Sequence, residues 1–216
     1  MKIFVFDTET NGLPSERNAS VMTSHKWPYI VQLSYILYDT QDKVVVEYVD
    51  KIIKLPPGVK IPKDAENIHK ITNEMSELNG ADIYDELIHF NIILSQSDLI
   101  IAHNLSFDKN MIMVECYRNK IMNEFTLPGR KKNGFCTMQN SINICKIERK
   151  YKNGDKYFKW PKLMELYKHL FGIIPDGLHN SMIDVLACLR CYGKMTLNVD
   201  LLEESKSLKS LNDMYS

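Results

Sequence analysis

The sequence has no excess of either charge: 27 Lys and Arg stand against 27 Asp and Glu over 216 residues. No global field therefore advertises nucleic acid or an anionic membrane. A phosphate substrate is not excluded, because a bound metal supplies positive charge locally. An apolar run of the ~20 residues needed to span a bilayer is also missing, as are a signal peptide, internal repeats and any composition break that would mark a second domain. The cysteines, Cys116, Cys136, Cys145, Cys188 and Cys191, are odd in number and lack the spacing of a disulfide framework. They read as reduced thiols in a soluble, intracellular, cytoplasmic protein. Cys188 and Cys191 form a C-x-x-C, but no second pair with zinc spacing accompanies it. Their surroundings have a helical pattern, so they read as buried helix-face residues.

What is present begins with the first strand, Lys2 to Gly12. Ile3-Phe4-Val5-Phe6 is apolar, and Asp7 and Glu9 follow at its exit. Strand side chains alternate, so Ile3, Val5, Asp7 and Glu9 share one face and Phe4 and Phe6 the other. Two acids on one face read either as a solvated strand end or as a site for a hard divalent cation such as magnesium.

Residues 13–29 are polar and turn-rich and read as a surface loop. Ile30 to Tyr38 and Lys43 to Leu55 read as strands joined by a hairpin at Thr40-Gln41-Asp42, giving an antiparallel meander of three strands. Pro56, Pro57, Gly58 and Pro62 end the sheet there. A helix from Asp64 to Lys70, with Asp64 as its cap, follows. Further helices are expected over about Asp82 to Ser95, from Asp108 through about Met122, over Met138 to Ile147, Lys162 to Phe171, and about His179 to Met195. Short strands are expected at Leu99 to Ala102 and Phe135 to Thr137, and residues 197–216 read as a charged tail with a turn or two of helix. This order of elements specifies an α/β fold with a mixed sheet. Arg130, Lys131, Lys132, Lys146, Arg149, Lys150, Lys152, Lys156, Lys159 and Lys162 gather with few acids, and Tyr151, Tyr157, Phe158 and Trp160 are interleaved. The region reads either as a solvated loop or as a local edge that tracks phosphates.

Two more acids carry the argument. Asp108 opens a helix after a buried strand, where a carboxylate is also favoured simply by the helix dipole. Asp184 interrupts Met182-Ile183-Asp184-Val185-Leu186, and a carboxylate among aliphatic neighbours is costly unless paired or metal-bound. His179 stands five residues before it, and alone reads equally as a cap or a core histidine.

Taken together, FDTETNGLP, AHNLSFDKNMI and HNSMIDVLAC resemble, in order, the three motifs of the DEDDh (DnaQ-like) 3′ to 5′ exonucleases. Ile68 to Thr72 (IHKIT) is similar to that family's HGIT segment, and the resemblance spans roughly residues 2–195. It implies a ribonuclease H-like fold, with a mixed five-stranded sheet and helices on both faces, over residues 1–196. It implies that Asp7, Glu9, Asp108 and Asp184 hold two Mg²⁺ or Mn²⁺ ions, Asp7 bridging, Glu9 and Asp184 on one ion and Asp108 on the other. His179 would be the general base, a role suited to a side chain that titrates near neutrality. Thr10, Leu13, Asn104 and Phe107 would hold the 3′-terminal nucleotide, Leu13 as an apolar wedge. The implied substrate is a single-stranded or frayed 3′ end, DNA favoured over RNA, and a DNA polymerase is an implied partner. Asn11 stands where a second Thr is common, Lys70 replaces the Gly of HGIT, and Lys146 to Trp160 looks inserted. A haloacid-dehalogenase-type phosphatase is the competing enzyme class, but its D-x-D-x-T motif would need an acid other than Glu9 and a Thr in place of Asn11. A non-catalytic scaffold on the same fold is the other alternative, and would be expected to have lost acids that are all present here.

Overall fold

Strand β1 (Lys2–Thr10) is central because both of its faces are apolar: Ile3, Phe4, Val5 and Phe6 are each at most 1% exposed. The computed structural model describes residues 1–129, 132–175 and 177–215. Among these, β1 pairs antiparallel with β2 (Ile30–Asp39), and β2 pairs antiparallel with β3 (Val44–Ile52), the meander expected from the sequence. On its other side β1 pairs in parallel with β4 (Leu99–Ala102), which pairs in parallel with β5 (Asn133–Cys136). The strand order is β3-β2-β1-β4-β5.

Helices cover both faces. Between β3 and β4 run α1 (Lys63–His69), α2 (Asn73–Asn79) and α3 (Ile83–Ser95), and α4 (Leu105–Arg118) follows β4. Phe4 and Phe6 meet Phe90 of α3 edge-on at 5.0 and 5.5 Å, and Met111, Ile112 and Val114 of α4 complete that layer. After β5 come the short α5 (Thr137–Asn140) and α6 (Ile142–Cys145), then a hairpin of β6 (Glu148–Lys150) and β7 (Lys156–Phe158). The chain continues through α7 (Leu163–Phe171) and α8 (Ser181–Thr196) to α9 (Leu201–Glu204) and α10 (Lys206–Met214). Met182, Val185, Leu186 and Leu189 of α8 lie on the opposite face, against Ile3, Val5, Ile36 and Ile101.

Several expectations need correcting. The cap of α1 is Pro62 and makes no side-chain capping bond, so Asp64 is a first-turn acid; the helix stops at His69 because Lys70 turns left-handed, at φ +65°. The expected helix over Met138 to Ile147 is two short ones, because buried Ser141 interrupts it and its hydroxyl donates back to the Met138 carbonyl at 3.0 Å. Helix α4 ends at Arg118 rather than near Met122. Arg118 donates to the carbonyls of Ser24, Trp27 and Pro28 at 2.6–2.8 Å, fastening the 13–29 loop and burying Trp27. The basic stretch is a hairpin and not a loop; Arg130 and Lys131, counted with it, lie outside the described residues. The segment read as a charged tail forms α9 and α10, which place Leu201, Leu208 and Leu211 in the same apolar cluster as α8. Cys188 and Cys191 are buried on α8 as expected.

Candidate active site

The acids of β1 sit on the face that α8 covers. In register, Asp7 lies opposite Ser34 and Glu9 opposite Gln32, so two polar residues of an otherwise apolar β2 face flank the two carboxylates. Ser34 and Gln32 reach sideways to Asp50 Oδ1, at 2.8 and 2.7 Å, and upward to α8. There the hydroxyls of Ser34 and Ser181 hydrogen bond, and Gln32 Oε1 accepts from the Ser181 N–H at 3.2 Å. Ser34 and Ser181 are both fully buried. This network pins the first turn of α8 over the acids, because breaking it would leave buried polar groups unpaired.

Asp184 is in that first turn, which Asn180 caps by accepting from the N–H groups of Met182 and Ile183. Before it, Gly177 is left-handed at φ +74°, and a Cβ there would meet Ile183 Cδ1 at 2.5 Å. His179 is left-handed too, at φ +75°, a conformation uncommon for residues other than glycine. Its N–H donates to Asp184 Oδ2 at 3.3 Å. The turn projects the His179 ring towards the sheet: among the described residues, donor atoms of Glu9, His179 and Asp184 lie within 4.8 Å of one another.

Asp108 arrives from the other side. Strand β4 ends at Ala102, and Asn104 at φ +71° swings the chain into α4. One turn on, Asp108 is buried, and its Oδ1 accepts from the Thr8 N–H at 3.1 Å and the Thr8 hydroxyl at 2.9 Å. Asp7 and Asp108 stand outside the 4.8 Å cluster but within electrostatic reach of it. Burial raises Asp7 well above the usual carboxylate range, with further increments from Asp108, Asp184 and Glu9. Burial, then Asp184 and Asp108, push Glu9 up to about 8. Burial carries Asp108 to about 7 against the opposing Thr8 hydrogen bonds, and Asp184 to about 7 against the His179 N–H.

Such a cluster repels itself. Among the described residues none of the four carboxylates has an ion-pair partner. Asp184 Oδ1 is buried without any hydrogen bond. An oxygen-rich, unpaired acidic set is the donor chemistry that hard divalent cations take, so the residues fit such an ion.

The residues expected at the nucleotide are less uniform. Leu13 is 82% exposed, an apolar side chain with no place in the core. Thr10 donates its hydroxyl to the Gly12 carbonyl at 2.7 Å, so it shapes the turn after β1. Asn104 sets the β4–α4 corner, and Phe107 is partly buried against the aromatic core. The Asn11 N–H donates to the Tyr29 carbonyl at 3.0 Å, and its side-chain amide uses separate atoms to accept from the Tyr29 N–H at 2.7 Å and donate to the Lys60 carbonyl at 3.0 Å, where a Thr would have a single hydroxyl.

Sequence reading missed Thr8, the Gln32–Ser34–Ser181 network and His103. For Thr8, Gln32 and Ser34 the signal was period-two alternation: each is a polar residue on a buried strand face, whereas Ser181 opens α8. His103 had no such signal. Its Nε2–H donates to the Pro161 carbonyl at 3.1 Å, its Nδ1 therefore accepts from the Thr137 hydroxyl at 3.0 Å, and burial depresses its pKa to about 4.

Residues 4–192 match the family model described as "RNase_T: Exonuclease". Among solved structures the chain is similar to E. coli exonuclease I in complex with a dT13 oligonucleotide, at 17% identity and a TM-score of 0.66, over 89% of this chain and 41% of that one. The dA16 complex of the same enzyme gives 17% identity and a TM-score of 0.67, over 94% and 42%. Its zinc-bound complex with single-stranded DNA gives 16% and 0.67, over 97% and 42%. The chain thus spans less than half of those proteins, and at this identity the likeness shows the fold. No curated protein matches the sequence. The family match over most of the chain, on the ribonuclease H-like sheet that carries all three motifs, means that this protein belongs to the DnaQ-like exonuclease family.

Proposed function

We propose that the chain is a divalent-cation-dependent 3′ to 5′ exonuclease. It hydrolyses the terminal phosphodiester of a single-stranded or frayed 3′ end, DNA favoured, and releases nucleoside 5′-monophosphates. The observation that carries this reading is the convergence of four unpaired carboxylates and His179 at one end of β1. Asp7, Glu9, Asp108 and Asp184 would hold two Mg²⁺ or Mn²⁺ ions, which when bound stabilise negative charge on the attacking and leaving oxygens.

The chain's own groups supply the remainder. His179 is exposed, so solvent reaches its ring, and it accepts the proton of the attacking water. Its left-handed backbone and its N–H bond to Asp184 fix that ring beside Glu9 and Asp184. Thr8 orients Asp108, and Ser181 with Gln32 holds the α8 turn at its distance from β1. Leu13 and Phe107 offer apolar surface to the terminal base, with Thr10 and Asn104 shaping the two turns between which it enters. The preference for DNA is supported by the likeness of the motifs to DNA-trimming members and by the DNA oligonucleotides bound to exonuclease I.

The test is hydrolysis of 5′-labelled single-stranded DNA and RNA of one sequence, with Mg²⁺, with Mn²⁺ and with EDTA, beside Asp184→Ala. A cation-dependent ladder shortening from the 3′ end, faster on DNA and absent in the variant, is expected. A faster RNA ladder would overturn the DNA preference. Intact strands in every lane, from protein shown to be folded, would overturn the activity.

A further inference from the structure

The basic, aromatic insertion is a hairpin, and its two faces differ. All six residues of β6 and β7 are exposed. Residues 146–160 hold six cations against Glu148 and Asp155, an excess of four on a chain whose total charge is zero. The register pairs Glu148 with Phe158, Arg149 with Tyr157 and Lys150 with Lys156. Paired residues point to the same side, and successive residues to opposite sides. One face therefore carries Glu148, Lys150, Lys156 and Phe158, and Lys156 is partly neutralised there by Glu148 at 2.9 Å. The other face carries Arg149 and Tyr157. Tyr151 joins that side by stacking on Tyr157, with centroids 4.3 Å apart and planes 28° from parallel.

Tyr151 is 56% and Tyr157 36% exposed, and Arg149 has no ion-pair partner among the described residues. Neither ring belongs to an apolar cluster of the core, and both share their face with the guanidinium. They match a nucleic-acid strand: bases stack on ring faces, and a guanidinium binds phosphate oxygens through two donors. The base of the hairpin ties it to the acids. The Lys159 N–H donates to the Ile147 carbonyl at 3.0 Å, and Lys159 Nζ binds Glu165 of α7 at 2.6 Å. Pro161 accepts from His103, which lies in the β4–α4 corner that delivers Asp108.

We propose that the face formed by Arg149, Tyr151 and Tyr157 binds the strand upstream of the 3′ terminus, holding nucleotides behind the one at the acids. The proposal rests on the exonuclease reading for the identity of the strand. Its consequence is a dependence on substrate length: long strands use the arm, and a dinucleotide does not reach it.

The experiment measures anisotropy of a fluorescein-labelled oligothymidylate of about 20 nucleotides, long enough for site and arm together. An oligouridylate runs in parallel, and binding is read in EDTA over a salt series. The Tyr151→Leu/Tyr157→Leu double variant is expected to weaken binding of the preferred strand about tenfold with its salt slope unchanged. Arg149→Ala is expected to lower that slope by about one, and Tyr157→Phe to bind as the parent does. Cleavage of a thymidylyl dinucleotide with Mn²⁺ is expected to be equal in all of them, and equal melting temperatures exclude misfolding. Parent-like affinity and slope in both the double variant and Arg149→Ala would overturn the arm and leave the nuclease reading standing if the ladder forms. Lost binding in the variants, with no hydrolysis by the parent, would sustain the arm and sink the nuclease reading.

Discussion

At the scale of single residues, the site is built from groups that each work against the fold. Asp184 is the clearest case, since its carboxylate is held up to about 7 by burial and one of its oxygens has no partner. Asp184→Asn is therefore expected to stabilise the cation-free protein by on the order of 1–2 kcal/mol at pH 8. The same change should abolish the rise in melting temperature that Mn²⁺ gives the parent, both read by calorimetry. His103 behaves oppositely. Its folded pKa is depressed to about 4, below the ordinary histidine value, so the unfolded chain takes the proton first as the pH falls. Its contribution is full above pH ~6.5 and is lost on acidification towards about 4, a swing of about 3 kcal/mol. Denaturant titrations should show that swing in the parent and lack it in His103→Gln. Lys70 sits at φ +65° where the related family segment has glycine, so Lys70→Gly should raise stability by about 1 kcal/mol.

At the scale of elements, the residues that declared themselves were those whose periodicity and chemistry agreed. Strand β1 was legible because its alternation continues from Ile3 and Val5 into Asp7 and Glu9. Helix α8 was legible because Asp184 breaks an apolar stripe that otherwise repeats at helical spacing. The boundary errors have local causes that periodicity does not register: a left-handed Lys70, a hydroxyl of Ser141 turned back on its own helix, and a Lys120 that turns left-handed at φ +56° just past the end of α4. Helix α10 was read as tail because its composition is charged and its apolar residues are few. Yet Leu208 is fully buried and Leu211 nearly so. Truncating that anchor, Leu208→Ala, is expected to cost 2–5 kcal/mol in chemical denaturation. A cost within a few tenths would mean that α10 is detached in solution.

At the scale of the whole molecule, one sheet collects chemistry from three distant stretches of chain. The central strand supplies two acids, the β4–α4 corner delivers a third, and the α8 turn brings the fourth together with His179. Both faces of the sheet are sealed by helices, so the open end of β1 is where these polar groups can meet solvent and a substrate. The identity of the five residues was readable from three short motifs. Their mutual support was not, because Thr8, Gln32, Ser34 and Ser181 act through contacts that join stretches about 100 and 150 residues apart. The central claim is that these groups hydrolyse the last phosphodiester at a 3′ end. It is tested most directly by identifying the product released from a single-stranded oligonucleotide in Mg²⁺, by chromatography and mass spectrometry. The account predicts nucleoside 5′-monophosphates, appearing from the 3′ terminus and absent with EDTA. Inorganic phosphate alone would point to a phosphatase, and internal oligonucleotide fragments to an endonuclease; either result would contradict it.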